Sequence, residues 1–412
     1  MLATDEFPLV VFEAADQGLE LGEDLLVLLA DALLAVAGTG LRSPSAGNTE
    51  AMADPRLRLR GAMGVIAALV FGAACGAASD DGPTSASTVG RGSAASPPTS
   101  TAVSETAGGS VRLTVSEVAS GLDTPWALAW DADDRLWFTE RSGRLTQLGG
   151  TSREVPGVVE QGESGLTGLE FDGQGRALLL YSTGSDNRII RSAPDALERA
   201  EVLVEGIPRA AIHNGGPLQR GPDGAIYAST GDADEPDTAQ DPSSLGGKVL
   251  RLDPASGAPE VFSLGHRNAQ GLCFAPDGRF LSTEHGPTGR DEVNVLQRGF
   301  NGGWPDTAGN GIRNYPQAIA PAGCVVYDAA LIPQWRGSML FATLRGTSLH
   351  RLTFGPDGAV AGEEVLFDDE FGRLRDVEVG PDGAVYITTS NRDGRGSPDE
   401  RDDRILRIAP SG

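Results

Sequence analysis

Residues 213–232 read HNGGPLQRGPDGAIYASTGD: a histidine, an Asn-Gly-Gly run, a short strand, an Asp-Gly turn and a second strand closing on Ser-Thr. Alternating apolar and polar residues make half-buried strands, and Asp223-Gly224 at the tip supplies the positive φ that a tight hairpin needs. The same unit recurs from Val111 onward, often with a third strand such as GGKVLRLD (246–253). Copies read PWALAWDADDRLWFTERSGRLTQL (125–148), LTGLEFDGQGRALLLYSTGSDNRIIRS (166–192), and AQGLCFAPDGRFLSTEHG (269–286) with DEVNVL (291–296). A looser copy is PAGCVVYDAALIPQWRGSMLFATLRGTSLHRLTF (321–354), and the last is LRDVEVGPDGAVYITTS (374–390) with DRILRI (403–408). Counting the opening stretch there are six copies, and a multi-strand repeat of roughly 40–55 residues is the signature of propeller blades. The fold class expected is therefore all-β, a six-bladed β-propeller over 111–412. The strand VRLTVSEVAS (111–120) is expected to pair into the last blade and close the ring, which protects an edge. A β-sandwich also has many short strands, but recurrence of the whole unit speaks against it.

The chain has 412 residues, and its 57 acidic against 33 basic side chains leave a net charge of −24. No basic stripe is available to offset phosphate repulsion, so nucleic acid is excluded as a partner. Three cysteines, Cys75, Cys273 and Cys324, are too few for a disulfide framework and lack zinc-ligand spacing. Cys273 and Cys324 both lie in apolar strands, as buried thiols or as a single bridge; the sequence leaves both readings open.

The N-terminal region reads differently. Arg56, Arg58 and Arg60 precede an uncharged, mostly apolar run over 61–74, too short to span a membrane but matching the core of a secretory signal. The segment 52–78 is expected to be that signal. Gly72-Ala73-Ala74 before Cys75 resembles a bacterial lipoprotein signal, with Gly72 where leucine is usual; cleavage after Ala78 is the alternative. Residues 1–51 are then an upstream extension, either a start codon placed before the true one at Met52 or an acidic amphipathic helix over 23–38. Residues 79–110 are poor in large apolar side chains and are expected to form a flexible tether.

In a propeller, residues just before each innermost strand converge on one end of the axis. That position holds Glu163, His213, Arg267 with Asn268, and Arg373 with Arg375, while Arg345 ends a strand that can face the same opening. Several arginines and a histidine turned into one mouth of so acidic a chain call for an anion. Isolated arginines are usually surface or ion-pair groups, but recurrence at equivalent blade positions sets these apart. Of the four histidines, His266 and His350 read as structural, whereas His213 beside Asn-Gly-Gly is placed for a ligand to approach the backbone.

The stretches GESGLTGLEF, HNGGPLQRGPDGAIYASTGD, GHRNAQGLCFAPDGRFLSTEHGPTGRDEVNV, NGGWP and RLRDVEVGPDGAVYITT resemble the soluble quinoprotein aldose sugar dehydrogenases of the glucose/sorbosone dehydrogenase family. The likeness runs from about 111 to the C-terminus, in order. It implies pyrroloquinoline quinone (PQQ) and Ca²⁺ as cofactors, an aldose as substrate, a lactone as product and an external electron acceptor. Matched by motif, Arg345, Arg373 and Arg375 would hold the cofactor's carboxylates, Asn268 and Glu163 would line its pocket, and Arg267 would bond the reacting carbonyl oxygen. Gly286 and Pro287 would give backbone carbonyls to Ca²⁺, Glu292 would serve a second, structural Ca²⁺ or be a solvated or salt-bridged carboxylate, and His213 would be the general base. This chain departs from the family pattern at Arg345, where some relatives have lysine, and at Gly302, where tyrosine is common. The loops that shape a glucose pocket in some relatives are short or missing. The protein is accordingly expected to be exported, with membrane contact only through a lipid on Cys75, and to act as a monomer or homodimer. The acidic loop DADEPDTAQD (232–241) lacks EF-hand spacing and reads as solvated.

Overall fold

In the computed structural model, residues 102–108 and 111–411 are described, and all fall within one compact unit spanning 89–412. The signal segment, Cys75 and the candidate helix over 23–38 lie outside the described residues.

Six antiparallel sheets follow one another along the chain, five of four strands and one of five. The first comprises Pro125–Trp130, Leu136–Glu140, Arg144–Gln147 and Ser152–Glu154, and the next four repeat that order outward from an inner strand. Inner strands Pro125–Trp130, Leu166–Phe171, Leu218–Arg220, Ala269–Phe274, Pro321–Val326 and Leu374–Val379 each pack on the next, and the last packs on the first. That is a closed six-bladed propeller. The ring closes as the sequence suggested: Val111–Ala119 runs antiparallel to the C-terminal strand Ile405–Pro410 in the last sheet. One expectation needs correction. Residues 102–108, counted in the expected tether, form a fifth strand, Ala102–Gly108, on the outer edge of Val111–Ala119.

Local chemistry explains the hairpins. In each PDG turn the aspartate side chain accepts the N–H two residues on, as Asp223 does from Ala225 and Asp382 from Ala384. The following glycine takes a positive φ, 78° at both Gly224 and Gly383. The second strand of each blade is buried along its whole length, as in LWFTE and MLFAT, because neighbouring blades cover both its faces. The core therefore lies between blades. Trp137, Leu145, Leu169 and Leu179 join the first and second, and Leu128, Phe138, Tyr386 and Ile405 join the last to the first.

Two devices aim residues at the axis. The pairing of inner with second strand is irregular in the first, second, fourth, fifth and last blades, each irregularity lying near the start of the inner strand. Such bulges re-aim side chains. Thr139 and Thr388, each one residue before the end of a second strand, serve backbone groups displaced there: Ala127 N–H bonds Thr139, and Asp376 N–H bonds Thr388. Adjacent inner strands are also tied together. Asp376 accepts the N–H of Leu128 at 2.7 Å, Glu170 accepts that of Arg220 at 2.9 Å, and Cys273 is bonded to Cys324 across two blades. The bridge is thus the reading the structure adopts for those cysteines. The only helices among the described residues are three short 3₁₀ turns, and no helix there is long and apolar enough to cross a membrane.

Candidate active site

Loops leading into the inner strands gather at one mouth of the ring, and His213 stands among them with φ +55°, a left-handed conformation rare for a non-glycine residue. Its backbone is held on both sides: the N–H donates to Glu163 Oε2 at 3.0 Å, and the carbonyl accepts the Ala233 N–H at 3.0 Å. Gly231 lies so close under that carbonyl that any side chain there would collide with it. The glycines after His213 have a similar reason. A Cβ at Gly215 or Gly216 would run into the backbone at Ser229 or Thr167, so they serve packing within the chain rather than the approach of a ligand.

The imidazole is oriented from behind. His213 Nδ1 lies 2.8 Å from Asp232 Oδ1, and Asp232 Oδ2 accepts the Trp304 Nε1–H at 2.8 Å. An ionised carboxylate only accepts, so Nδ1 carries the hydrogen and Nε2 keeps the lone pair in the neutral ring. Asp232 corrects part of the acidic-loop reading: its side chain is fully buried, while Asp234, Glu235, Asp237 and Asp241 are exposed as expected.

Opposite lie the arginines. Arg375 is buried, stacked with its guanidinium carbon 3.6 Å from the Trp126 ring centroid and bonded through Nη1 to Gln270 Oε1 at 3.1 Å. Burial pushes its pKa down to about 9; Asp393 opposes the shift and Arg373 adds to it. Arg373 makes a two-point contact with Asp393 Oδ2, at 3.0 Å from Nε and 2.7 Å from Nη2. Arg267 sits beside the Trp304 ring, and burial lowers its pKa despite Asp232 and Glu163 nearby. His285 faces the same space, and burial holds its pKa well below the ordinary histidine range. Arg267 Nε, Arg375 Nε and His285 Nε2 are buried with no hydrogen-bond partner among the described residues. Buried polar groups rarely go unpaired, so three such atoms around one mouth point to a missing acceptor-rich ligand.

The other expected site residues divide. Arg345 is exposed and lines a cleft of about 440 Å³ together with Arg373 and Arg395. Asn268 is buried, and its side-chain oxygen accepts from Gly215 N–H and Gln270, so it braces the His213 loop. Glu163 spends one carboxylate oxygen on the His213 N–H and the other on Arg395. Burial works against its ionisation, yet Arg395 and the His213 N–H hold its pKa down at about 2. The Gly286-Pro287 turn is tied by Gly286 N–H to Asp291, whose other oxygen takes the N–H groups of Ile319 and Ala320. Glu292 is neither solvated nor ion-paired. It is buried, accepts from Asn294 and Gly311, and has its pKa raised by burial and by Glu284. Among the described residues no three His, Cys, Asp or Glu side chains gather as a metal site, so a cation here would rest on backbone carbonyls. His266 and His350 are structural as read, bonded to Glu284 and Glu363.

Sequence reasoning overlooked Asp232, Trp304, His285, Asp393 and Arg395. Trp304 and His285 lie within the motifs NGGWP and EHGP, where their signal was present. Asp393 and Arg395 lie in a loop with no local pattern to mark them.

The propeller as a whole is similar to known proteins. A family model described as Glucose / Sorbosone dehydrogenase matches residues 122–406. Aldose sugar dehydrogenase YliI of Escherichia coli (strain K12) is 27% identical over 346 residues, which cover 70% of this chain and 91% of that protein. Quinoprotein glucose dehydrogenase B of Acinetobacter calcoaceticus is 31% identical over 249 residues, 47% of this chain and 52% of that protein. Among solved structures, the PQQ-bound aldose sugar dehydrogenase of Streptomyces coelicolor is 33% identical, with a TM-score of 0.64 over 73% of this chain and 98% of its own.

Proposed function

The chain belongs to the glucose/sorbosone dehydrogenase family, and from that premise we propose that it oxidises an aldose at the anomeric carbon to the lactone, with PQQ and Ca²⁺ as cofactors and an external electron acceptor. The observation that carries the reading is the pair of unpartnered buried donors on Arg267 and Arg375, together with the unpartnered ring nitrogen of His285, near an imidazole already oriented by Asp232. A planar, polyanionic quinone supplies the acceptors those donors lack, so the residues fit it. Bound there, PQQ would supply the two-electron oxidant for the anomeric C–H, with the external acceptor as the final electron sink.

The protein's share is binding, orientation and proton transfer. Arg375 and Arg373, with Arg345 at the cleft edge, hold carboxylates; planar guanidinium forks suit that task. Arg267 directs a buried positive charge at the oxygen on which negative charge develops, where low dielectric strengthens the interaction. His213 Nε2 takes the proton from the anomeric hydroxyl, while Asp232 keeps the hydrogen on Nδ1 and stabilises the imidazolium that forms. Carbonyls of Gly286 and Pro287 are the proposed Ca²⁺ ligands, on a turn that Asp291 fixes, and Ca²⁺ would act as a Lewis acid. Glu292 remains the proposed ligand of a second Ca²⁺, with Asn294 and Gly311 as its present partners. The protein is proposed to work outside the cytoplasm, released or tethered by a lipid on Cys75.

Chelator-treated protein, supplied with PQQ, an aldose and an oxidising dye, is expected to reduce the dye only after Ca²⁺ is restored. Dye reduction without added quinone, or none with every cofactor present, would refute the proposal.

A further inference from the structure

We infer that Arg395 is a positioning residue, acting through Glu163 on the backbone of His213; this rests on His213 being the base proposed above. The left-handed backbone of His213, φ +55°, is disfavoured for a side-chain-bearing residue by roughly 1–2 kcal/mol, so something must hold it there. Ala233 holds its carbonyl, and Glu163 holds its N–H. The Glu163 N–H donates to Ala211 O at 2.7 Å and its carboxylate accepts the His213 N–H at 3.0 Å, so the two loops are zipped at consecutive points. Gly162 lies against the Ala211 carbonyl with no room for a Cβ, which lets the zip close.

A glutamate side chain has three rotatable bonds and would not hold this geometry alone. Arg395 fixes it by taking the second carboxylate oxygen from across the mouth, 232 residues away in sequence. Arg395 is itself set by Asp393, whose Oδ1 accepts the Arg395 N–H at 2.9 Å while Oδ2 holds Arg373. One chain of contacts therefore runs from an arginine assigned to the cofactor, through Asp393, Arg395 and Glu163, to the base. Arg395 is about half exposed, at 55%, and a pair that open to water contributes about 0–1 kcal/mol to stability. Its consequence is thus in alignment: a small misplacement of a reacting group can lower a rate by as much as about a hundredfold.

The test compares Arg395→Ala, Arg395→Lys and Glu163→Gln with the unaltered chain. Arg395→Ala is expected to lower kcat about tenfold or more with little change in the quinone Kd, to recover in part with added guanidinium, and to be milder as Arg395→Lys. A second readout needs no turnover. In cofactor-free protein, the His213 imidazole C–H resonance should shift or split in Arg395→Ala and stay close to native in Arg395→Lys. An unmoved resonance together with kcat within twofold of the parent would overturn the inference. Should His213→Ala retain activity, the base assignment fails instead, and the resonance still decides whether Arg395 positions His213.

Discussion

Replacing Asp232 by asparagine removes one charge and almost no volume, yet it should nearly stop the reaction. The Asp232 carboxylate meets three hydrogen donors: His213 Nδ1 at 2.8 Å, the Asp234 N–H at 3.1 Å and Trp304 Nε1–H at 2.8 Å. Asparagine has one acceptor oxygen and an NH₂, so one side must face donor to donor. If the oxygen stays toward His213, the Trp304 N–H is left buried and unpaired, at a cost of about 1–3 kcal/mol. If the amide flips, its NH₂ faces both Nδ1 and the Asp234 N–H. That atom must then accept, the hydrogen moves to Nε2, and the lone pair that takes the substrate proton is gone. General-base catalysis contributes on the order of 10²–10⁴ in rate, about 3–5 kcal/mol at 1.36 kcal/mol per tenfold. We expect kcat to fall within that range in Asp232→Asn, while PQQ affinity, read from quenching of tryptophan fluorescence, changes by less than about threefold, because arginines hold the cofactor. Trp304→Phe keeps the His213–Asp232 contact and should fall by about tenfold at most. Asp232→Asn with kcat within threefold of the parent would refute the role given to the pair.

Arg375→Lys keeps a positive charge but loses the flat stack on Trp126 and the Gln270 bond, so PQQ should bind about 10–100-fold more weakly in a fluorescence titration. Unchanged affinity would remove Arg375 from the cofactor site. Cys324→Ser opens a bridge spanning 51 residues, which chain entropy values at up to about 4 kcal/mol; urea unfolding should show most of that loss, and a change under 1 kcal/mol would contradict it. Glu363 binds His350, Tyr315 and Arg313; burial opposes its ionisation, yet these partners hold its pKa at about 2, below the ordinary 4.5. A depressed carboxylate stabilises the fold above its unfolded pKa and loses that as pH falls through the folded one. Glu363→Gln should therefore be less stable at pH 7, by about 1–2 kcal/mol once water screening of this partly exposed carboxylate is allowed for, with the gap closing between about pH 4.5 and pH 2 in urea titrations.

What could be read from the sequence was what is local. The PDG turns and the alternation within each strand are written in a few neighbouring residues, and the recurrence of the same unit along the chain could be read off directly, so the six blades followed from them. Ring closure was legible too, because VRLTVSEVAS stands ahead of the first repeat unit and belongs to none of them. The strand at 102–108 was not, because AVSETAG is too polar to announce itself and pairs through its backbone. At the mouth, residues before inner strands could be placed by blade position alone, which brought His213, Arg267, Arg373 and Arg375 together. Their supports could not be seen. Trp304 meets Asp232 from 72 residues away and Arg395 meets Glu163 from 232, and no local pattern records such pairs. Asp232 shows the same limit: in an acidic loop it looked like its exposed neighbours, and only the fold buries it.

The most direct test of the dehydrogenase account is a single-turnover experiment. Protein loaded with PQQ and Ca²⁺ would be mixed in a stopped-flow instrument with an aldose carrying hydrogen or deuterium at C1, without any electron acceptor, while the quinone absorbance is followed. The expected result is loss of the quinone spectrum by one equivalent of sugar, slowed several-fold by deuterium and abolished in His213→Gln. A quinone spectrum that no aldose changes, or a loss indifferent to both deuterium and His213, would contradict hydride transfer from the anomeric carbon with His213 as the base.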